Sequence, residues 1–539
     1  MSVCREVITL QLGHYSNYVG THWWNLQDAS LSYDPEEKPG EIQSDVVFRE
    51  GQTQGGHVTY TPRLIAVDLK GNAFYFSAAG VFNLGVRTPF GVARHWEEIL
   101  MVPFLCSGSL SMDTVNSRLQ RVQHSYRLEG SVKVWSDFLR IHLHPRTISI
   151  IHQYNHDGEA HRLEAFSQGE SLLQGAVLDE LEDKLHFFVE ECDYLQGFQV
   201  LCDMADGFAG FGSKVTEMLQ DSYSGRGILT WGTAPVSYAD STPVKDIYHL
   251  LNCTLATVHM ANNSSFFCPL TLRGGLGRRP SSPVSFPHLS YDPSLWFHSS
   301  SVLALALDAL TVSYRLRDNS VPMWQLADTL AVSGRKVVAA YGAVPFPMMH
   351  GSSLPDTLSS WTDAPPWKPL SACSEMSDGR CYGQWATLRG YGDQSLISAL
   401  PPGTPPTTIL HSLPSGEDVL GSYIRSFYPT SPLALQLLAT PSKLTPPYPQ
   451  IFSPQVDAQV SSVPVLTSLQ SNPALQSWLS ELHRSTSTLD IRRVAPSFLS
   501  QGLESSDYDE ALEQLRVLAR CYRDDSGGVM RSSSEEEDD

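Results

Sequence analysis

Apolar and polar positions change their period along the chain, and each change marks an element. "EVITLQLG" is a short strand-like run closed by Gly13, and "SNYVGTHWWNLQDA" follows with helical spacing that carries Trp23 and Trp24. "RLIAVDL" (Arg63 to Leu69) is a compact apolar run closed by Asp68, the pattern of a buried parallel strand. "GESLLQGAVLDELEDKLHFFVEE" has the stripe of one long amphipathic helix. It feeds a strand, "GFQVLCDM", then a glycine-punctuated loop, a helix, "SKVTEMLQDSY", and a further strand, "GILTWG". Repeated strand–helix alternation predicts an α/β fold, with a parallel sheet covered by helices on both faces.

Farther on, "SSVLALALDALTVSYRL" is apolar nearly all round, so a helix at about 300–313 is expected to be central and buried, with Asp308 interrupting its apolar run. "PPGTPPTTIL" and "YPTSPLALQLLATPSKLTPPYPQIFSPQ" are proline-rich and read as exposed loops or extended segments. "SDYDEALEQLRVLARCYRDD" predicts a late helix capped by Ser506 and Asp509, with Tyr508, Leu512, Leu515, Leu518 and Tyr522 as its apolar stripe. The closing "SSSEEEDD" is a run of like charge expected to be disordered. Ser532, Ser533 and Ser534 each precede an acidic residue by three positions, which suits an acid-directed kinase and makes them candidate phosphorylation sites.

Composition narrows the function classes. The 539 residues, 42% hydrophobic and 10% aromatic, suffice for a sizeable core in more than one domain. A net charge of -20 argues against nucleic acid, whose phosphates demand a basic face. Nine scattered cysteines, without the paired spacing a structural zinc needs, read as free thiols. Arg5 and Glu6 stand where a signal peptide would carry its apolar run, and no uncharged apolar stretch approaches the ~18 residues of a membrane span. A soluble intracellular protein is expected. His142, His144, His152, His156 and His161 cluster, but no acidic or thiol ligand stands at metal-site spacing beside them, so they read as solvated or core histidines. No G-x-S-x-G elbow supports a hydrolase of that class.

Five blocks carry a resemblance to tubulin, in the tubulin order: "REVITLQLGHYSNYVGTHWW", "TPRLIAVDL", "CDYLQGFQ", "AVPFPMMH" and "GRCYGQWATLRG". The resemblance implies a tubulin-like parallel-sheet domain over 1–320, a smaller α+β domain over 321–525 with C-terminal helices, and an acidic tail over 526–539. The poorly fitting stretch at about 72–165 reads as an insertion. The opening "CREVITLQLGHYSNYVGTHWWNLQDA" together with the acidic tail is most similar to the misato family.

Tubulin holds GTP through glycine-rich backbone that lets amides reach phosphate, and the resemblance places Gly13, Asn17, Asp68, Gly207, Gly210, Gly212 and Asn252 at the matching positions. "DGFAGFG" keeps three of the glycines but puts Phe208, Ala209 and Phe211 where tubulin has glycine or hydroxyl residues, and Asp206 adds a carboxylate that repels phosphate by roughly a few kcal/mol. His14, Tyr15 and Tyr18 replace other tubulin loop residues, Lys70 takes the magnesium-associated position, and Ser299 falls near a guanine-reading asparagine. Arg335 and Lys336 stand near the residue that activates water, and a guanidinium stays protonated and cannot act as a general base. The expectation is a relic nucleotide site: no catalysis, no obligatory cofactor, with GTP or GDP binding left open.

Misato membership implies a cytoplasmic protein with a pool held peripherally at the mitochondrial outer membrane. It would act through protein partners there in mitochondrial distribution, morphology and fusion. Two alternatives remain open: a switch gated by bound GTP, and a tubulin assembly or biogenesis factor that contacts tubulin or a chaperonin.

Overall fold

A computed structural model describes residues 5–31, 40–52, 58–70, 132–156, 161–238, 241–277, 282–347, 352–373, 380–391, 405–453, 461–499 and 504–523. The candidate serines 532–534 and the acidic tail lie outside these residues.

The first sheet has six parallel strands: β1 (Val7–Leu12), β4 (Leu64–Lys70), β5 (Ile148–Asn155), β6 (Gly197–Asp203), β7 (Gly227–Thr233) and β8 (Phe266–Leu270), with β2 (Phe48–Gln52) and β3 (Val58–Pro62) forming a separate hairpin. The spatial order is β5-β4-β1-β6-β7-β8. This is the doubly wound arrangement in which the order reverses beside the first strand, and ligands of such sheets bind at that reversal, outside the carboxyl ends of the strands. Here the reversal falls between β1 and β6, with Leu12 paired to Cys202 at its edge. Every residue of β1, β6, β7 and β8 is buried, as the nearly continuous apolar runs require of strands covered on both faces.

Helices α1 (His14–Asp28), α2 (Phe166–Leu172), α3 (Ala176–Glu190), α4 (Phe208–Ser222) and α5 (Pro243–Asn263) flank the sheet. The predicted single helix over 169–191 is two. Gly175 takes a left-handed φ of 54°, and the turn at Leu173–Gly175 lets α2 and α3 take separate directions. The expected insertion at 72–165 also needs correction, because β5 lies inside it and pairs in parallel with β4, so Ile148–Asn155 belongs to the sheet. Residues 71–131 lie outside the described ones.

The central helix α6 runs from Trp296 to Leu310, four residues earlier than its apolar pattern indicated. α7 (Met323–Leu330) leads to a second sheet in the order β10-β9-β15-β11-β12. It is built from β9 (Ala339–Ala343), β10 (Lys368–Pro369), β11 (Gly383–Arg389), β12 (Leu433–Leu438) and β15 (Val465–Ser471). The "AVPFPMMH" block begins at the last residue of β9, and its described residues, to Pro347, form the exit from the strand. The second proline-rich segment takes the extended form of the two expected, and much of it is not exposed. It supplies β12 and, with β14 (Ser462–Val463), the ribbon strand β13 (Ser442–Lys443), while Leu444, Tyr448 and Ile451 are buried. Its prolines sit between strands, where no ladder N–H is required.

Helices α8 (Leu354–Ser359), α9 (Gly416–Phe427), α10 (Ala474–Ser487), α11 (Ile491–Val494), α12 (Pro496–Leu499) and α13 (Ser505–Arg520) complete the fold. α13 buries Tyr508, Leu512 and Leu515 against its neighbours as its stripe predicts. Its start is fixed by Glu504 N donating to Asp507 Oδ2 at 3.0 Å, not by Ser506 or Asp509.

One polar cluster joins α1 and α6 to the second sheet. Asp308 of α6 is 3% exposed and accepts from Arg315 Nη2 at 2.9 Å, Gln27 Nε2 of α1 at 2.9 Å and Ser442 Oγ of β13 at 2.9 Å, and it also pairs with Arg389 of β11. Arg315 in turn lies over the Trp23 ring at 5.1 Å. The charge that interrupts the apolar helix is the point at which four other elements are tied to it.

Candidate functional site

β1 delivers the chain to the switch point, and Gly13, at φ 110°, turns it into α1. A side chain at Gly13 would stand 2.5 Å from Asp203 Oδ2, so the glycine is required by the close approach of that carboxylate as well as by its backbone angle. Asp203 ends β6 and points at the first turn of α1. Its Oδ2 accepts from Tyr15 N at 2.9 Å, and its Oδ1 accepts from Ser16 N at 2.6 Å, Ser16 Oγ at 2.8 Å and Thr233 Oγ1 at 3.0 Å. The amides at the positive end of α1, the natural seat of a phosphate in this fold, are therefore bonded to the chain's own anion. Burial pushes the Asp203 carboxyl up to about 6 even though these donors favour its charged form.

The predicted site residues divide into two groups. Gly13 lies against Asp203, and Asn17 bonds to Asp68. Asp68 Oδ2 is held by Trp135 Nε1 at 2.7 Å, His14 Nδ1 at 3.2 Å and Asn17 Nδ2 at 3.3 Å, and its Oδ1 accepts from Leu69 N at 2.7 Å. A carboxylate so enclosed has its acceptor sites turned toward protein groups. Lys70, one residue beyond Leu69, ends β4 exposed.

The glycine segment differs from its predicted form. It is not a loop: α4 begins at Phe208, so Gly210 and Gly212 lie inside the first turns of a helix and Gly207 is its N-cap. A Cβ on Gly210 would fall 1.9 Å from Phe166 O, and one on Gly169 would fall 1.7 Å from Gly207 O. These glycines admit the backbone of α2. Gly212 similarly makes room for Cys202 Sγ, 2.2 Å from where its Cβ would be. Phe208 and Phe211 are buried in the main core with ring centroids 6.2 Å apart. Asp206 caps α4 through Phe208 N at 2.9 Å. Burial, and after it the Asp203 carboxylate, raises the Asp206 carboxyl well above the usual range. Asn252 is buried in α5 and donates to Glu164 O at 2.7 Å and Ala205 O at 3.0 Å, tying α5 to the segments before α2 and α4.

Above α1 the crevice is filled by rings. The Trp296 indole lies 5.5 Å from His14, 5.4 Å from Tyr15 and 6.0 Å from Tyr18 between centroids, with its Nε1 donating to Ser237 O at 3.0 Å. The Tyr15 hydroxyl donates to Ser299 Oγ at 3.0 Å. The starting turn of α6 thus presents an indole and a small hydroxyl side chain to the crevice.

Comparison with known proteins agrees with this geometry. Residues 5–86 match the family model described as Misato Segment II tubulin-like domain, and residues 127–316 match the Tubulin domain model. Protein misato homolog 1 of Danio rerio is 58% identical, with 99% of each chain covered. This chain belongs to the misato family.

Other misato relatives extend the range. Protein misato homolog 1 of Homo sapiens is 46% identical over 96% of this chain and 98% of its own, and protein misato of Drosophila melanogaster is 28% identical over 97% and 99%. This member of the misato family places Arg335 and Lys336 away from the crevice. Arg335 lies over the Tyr382 ring at 3.9 Å and donates through Nε to Cys521 O at 2.7 Å, while Lys336 Nζ donates to Asn262 O at 2.7 Å. Both cations serve carbonyls at helix C-termini, where positive charge is favoured. Among the predicted histidines, His156 packs against His14 at 4.4 Å and His144 stacks on Phe187 at 4.9 Å. No group of three His, Cys, Asp or Glu among the described residues could hold a metal ion.

Sequence reasoning missed Asp203 and Trp296. Asp203 stands one position before the end of a predicted strand that leads into the glycine segment, a signal that places a side chain at the switch point. Nothing in the pattern around Trp296 distinguishes it from a core tryptophan.

Proposed function

We propose that this misato-family protein is a non-catalytic user of the tubulin fold, which acts through protein contacts in mitochondrial distribution, morphology and fusion. The observation that carries the non-catalytic part is the Asp203 carboxylate on the Tyr15 and Ser16 amides. A guanine nucleotide does not fit these residues. Its phosphates would have to displace a buried carboxylate from α1 and approach glycines whose free side is occupied by α2, and its base would meet the Trp296 ring. The mitochondrial part is supported only by the resemblance to the misato family.

The test is direct. Full-length protein purified without added nucleotide should release no stoichiometric GTP or GDP on denaturation, and its GTP hydrolysis should equal a buffer control. Bound nucleotide together with magnesium-dependent turnover that is lost in Asp68→Ala would overturn the reading. A tubulin or chaperonin that co-purifies in fixed ratio would instead favour an assembly factor.

For localisation we propose a cytoplasmic protein with a pool on the outer mitochondrial surface. No helix among the described residues is long and apolar enough to cross a membrane, and a net charge of -20 opposes direct attraction to anionic lipid. A protein receptor is therefore the favoured tether. Alkaline carbonate should strip the protein from isolated mitochondria, and protease added to intact organelles should digest it. Retention in the carbonate pellet, or protection until the outer membrane is ruptured, contradicts the proposal.

A further inference from the structure

A second cleft lies at the carboxyl ends of β6 to β8, beyond the filled crevice. Tyr238 separates the two: its ring faces Trp296 on one side, with centroids 6.4 Å apart, and packs against His249 at 3.9 Å on the other. The cleft has a volume of about 230 Å³, and Ala205, Tyr238, Asp246, His249, Cys253 and Arg273 contribute to its lining. It is smaller than the roughly 300–1,000 Å³ of pockets that take drug-sized ligands, so a nucleoside triphosphate is excluded by size.

Its chemistry is uneven. Arg273 comes from the loop after β8, positioned by its own N–H donating to Thr271 Oγ1 at 3.1 Å. The guanidinium is half-buried, its charge is felt by His249, Cys253 and Tyr238, and it has no ion-pair partner among the described residues. A permanently charged group that is partly withdrawn from water without a counter-ion favours an incoming anion. His249 Nδ1 is buried with no hydrogen-bond partner, and burial pushes the ring down to about 4, so the imidazole is neutral near pH 7. Burial likewise raises the Tyr238 hydroxyl, which stays protonated. Asp246, in the first turn of α5, accepts from Ser241 Oγ at 2.6 Å and adds one negative charge to the lining.

We propose that this cleft binds a small ligand through a single oxyanion group, a carboxylate or a phosphate, with Arg273 as the counter-charge and His249 and Tyr238 as neutral hydrogen-bonding walls. The site is independent of the crevice beside α1 and stands whether or not that crevice holds a nucleotide. The experiment is histidine side-chain NMR on the full-length chain, titrated separately with inorganic phosphate, with acetate and with GTP, and with His249→Gln assigning the signal. Phosphate or acetate should shift the His249 resonance saturably, with a Kd below about 1 mM. Which of the two binds more tightly identifies the oxyanion. Arg273→Gln should weaken that binding about ten-fold or more, the loss expected for a charge-assisted contact, and Arg273→Lys should retain part of it. Absence of a saturable shift with either anion, unchanged binding in Arg273→Gln, or a response to GTP alone would each overturn the proposal.

Discussion

Asp308→Ala should cost about 3–5 kcal/mol of folding stability, measured as a lowered midpoint in chemical denaturation, because it leaves two buried guanidiniums without their counter-charge. Arg315 and Arg389 are both fully buried, and the Asp308 carboxylate is the acceptor they share. The sign of the pH dependence follows from the same geometry. Burial alone would raise the Asp308 carboxyl, but Arg389 and Arg315, aided by Gln27, outweigh it and hold the group at about 2. A depressed folded value contributes stability above the unfolded value of ~3.9 that is lost as pH falls toward 2. Acid unfolding of the wild type should therefore show a component near pH 2–4 that Asp308→Ala lacks. Replacing Asp308, Arg315 and Arg389 together by apolar residues of similar volume should cost less than Asp308→Ala alone, since the desolvation of all three charges is relieved at once. A single-variant cost below about 1 kcal/mol would mean that water reaches the cluster, and the clamp would have to be abandoned.

The second large effect is expected at Asp203. Asp203→Ala strands the Tyr15 and Ser16 amides and removes an acceptor from two buried hydroxyls, and a loss of about 2–4 kcal/mol is expected. Asp203→Asn retains the shape but turns an amide N–H₂ toward a backbone N–H, so it should also destabilise. Here the linkage runs opposite to that of Asp308. A carboxyl raised to about 6 in the folded chain contributes stability that is complete below ~3.9 and is lost as pH rises through 6. The stability gap between wild type and Asp203→Asn should accordingly narrow between pH 4 and pH 6.5. Asp206, raised by the same burial and by Asp203 itself, leaves a residual slope that Asp206→Asn removes. A gap that stays constant between pH 4 and pH 6.5 would show Asp203 to ionise as an ordinary carboxylate, and the raised value would have to be abandoned.

Much of the architecture was legible because it rests on local rules. Runs such as "RLIAVDL" and "GILTWG" have the continuous apolar character of strands buried on both faces, and they became β4 and β7. The misreadings have identifiable causes. Glycines punctuate loops more often than they enter helices, so "DGFAGFG" reads as a loop, whereas packing against α2 extends the helix through it. Prolines at 429, 432, 441, 446 and 447 masked β12, whose place is set by pairing with β11, a strand more than forty residues earlier. At the site, residue identities gave the candidate positions but not their partners. Asp68 reads as a nucleotide-binding position, yet Trp135, 67 residues away, takes one of its oxygens. The role of Asp203 depends on Tyr15 and Ser16, 188 and 187 residues earlier, and no local pattern encodes such a meeting.

The back-to-back glycine contact between α2 and α4 also bears on time. With Gly169 seated on Gly207 O and Gly210 on Phe166 O, the two backbones leave no room for an atom between them. Anything that reaches this turn must wait for α2 to detach, and its seven residues are anchored at their start by Gln168 Oε1 accepting from Glu164 N and Ala165 N at 2.8 and 2.9 Å. The rate at which the turn can be reached is then set by a local unfolding event and does not depend on the concentration of any ligand. Hydrogen exchange at the Gly207 and Gly210 amides reads that opening frequency in the protein by itself.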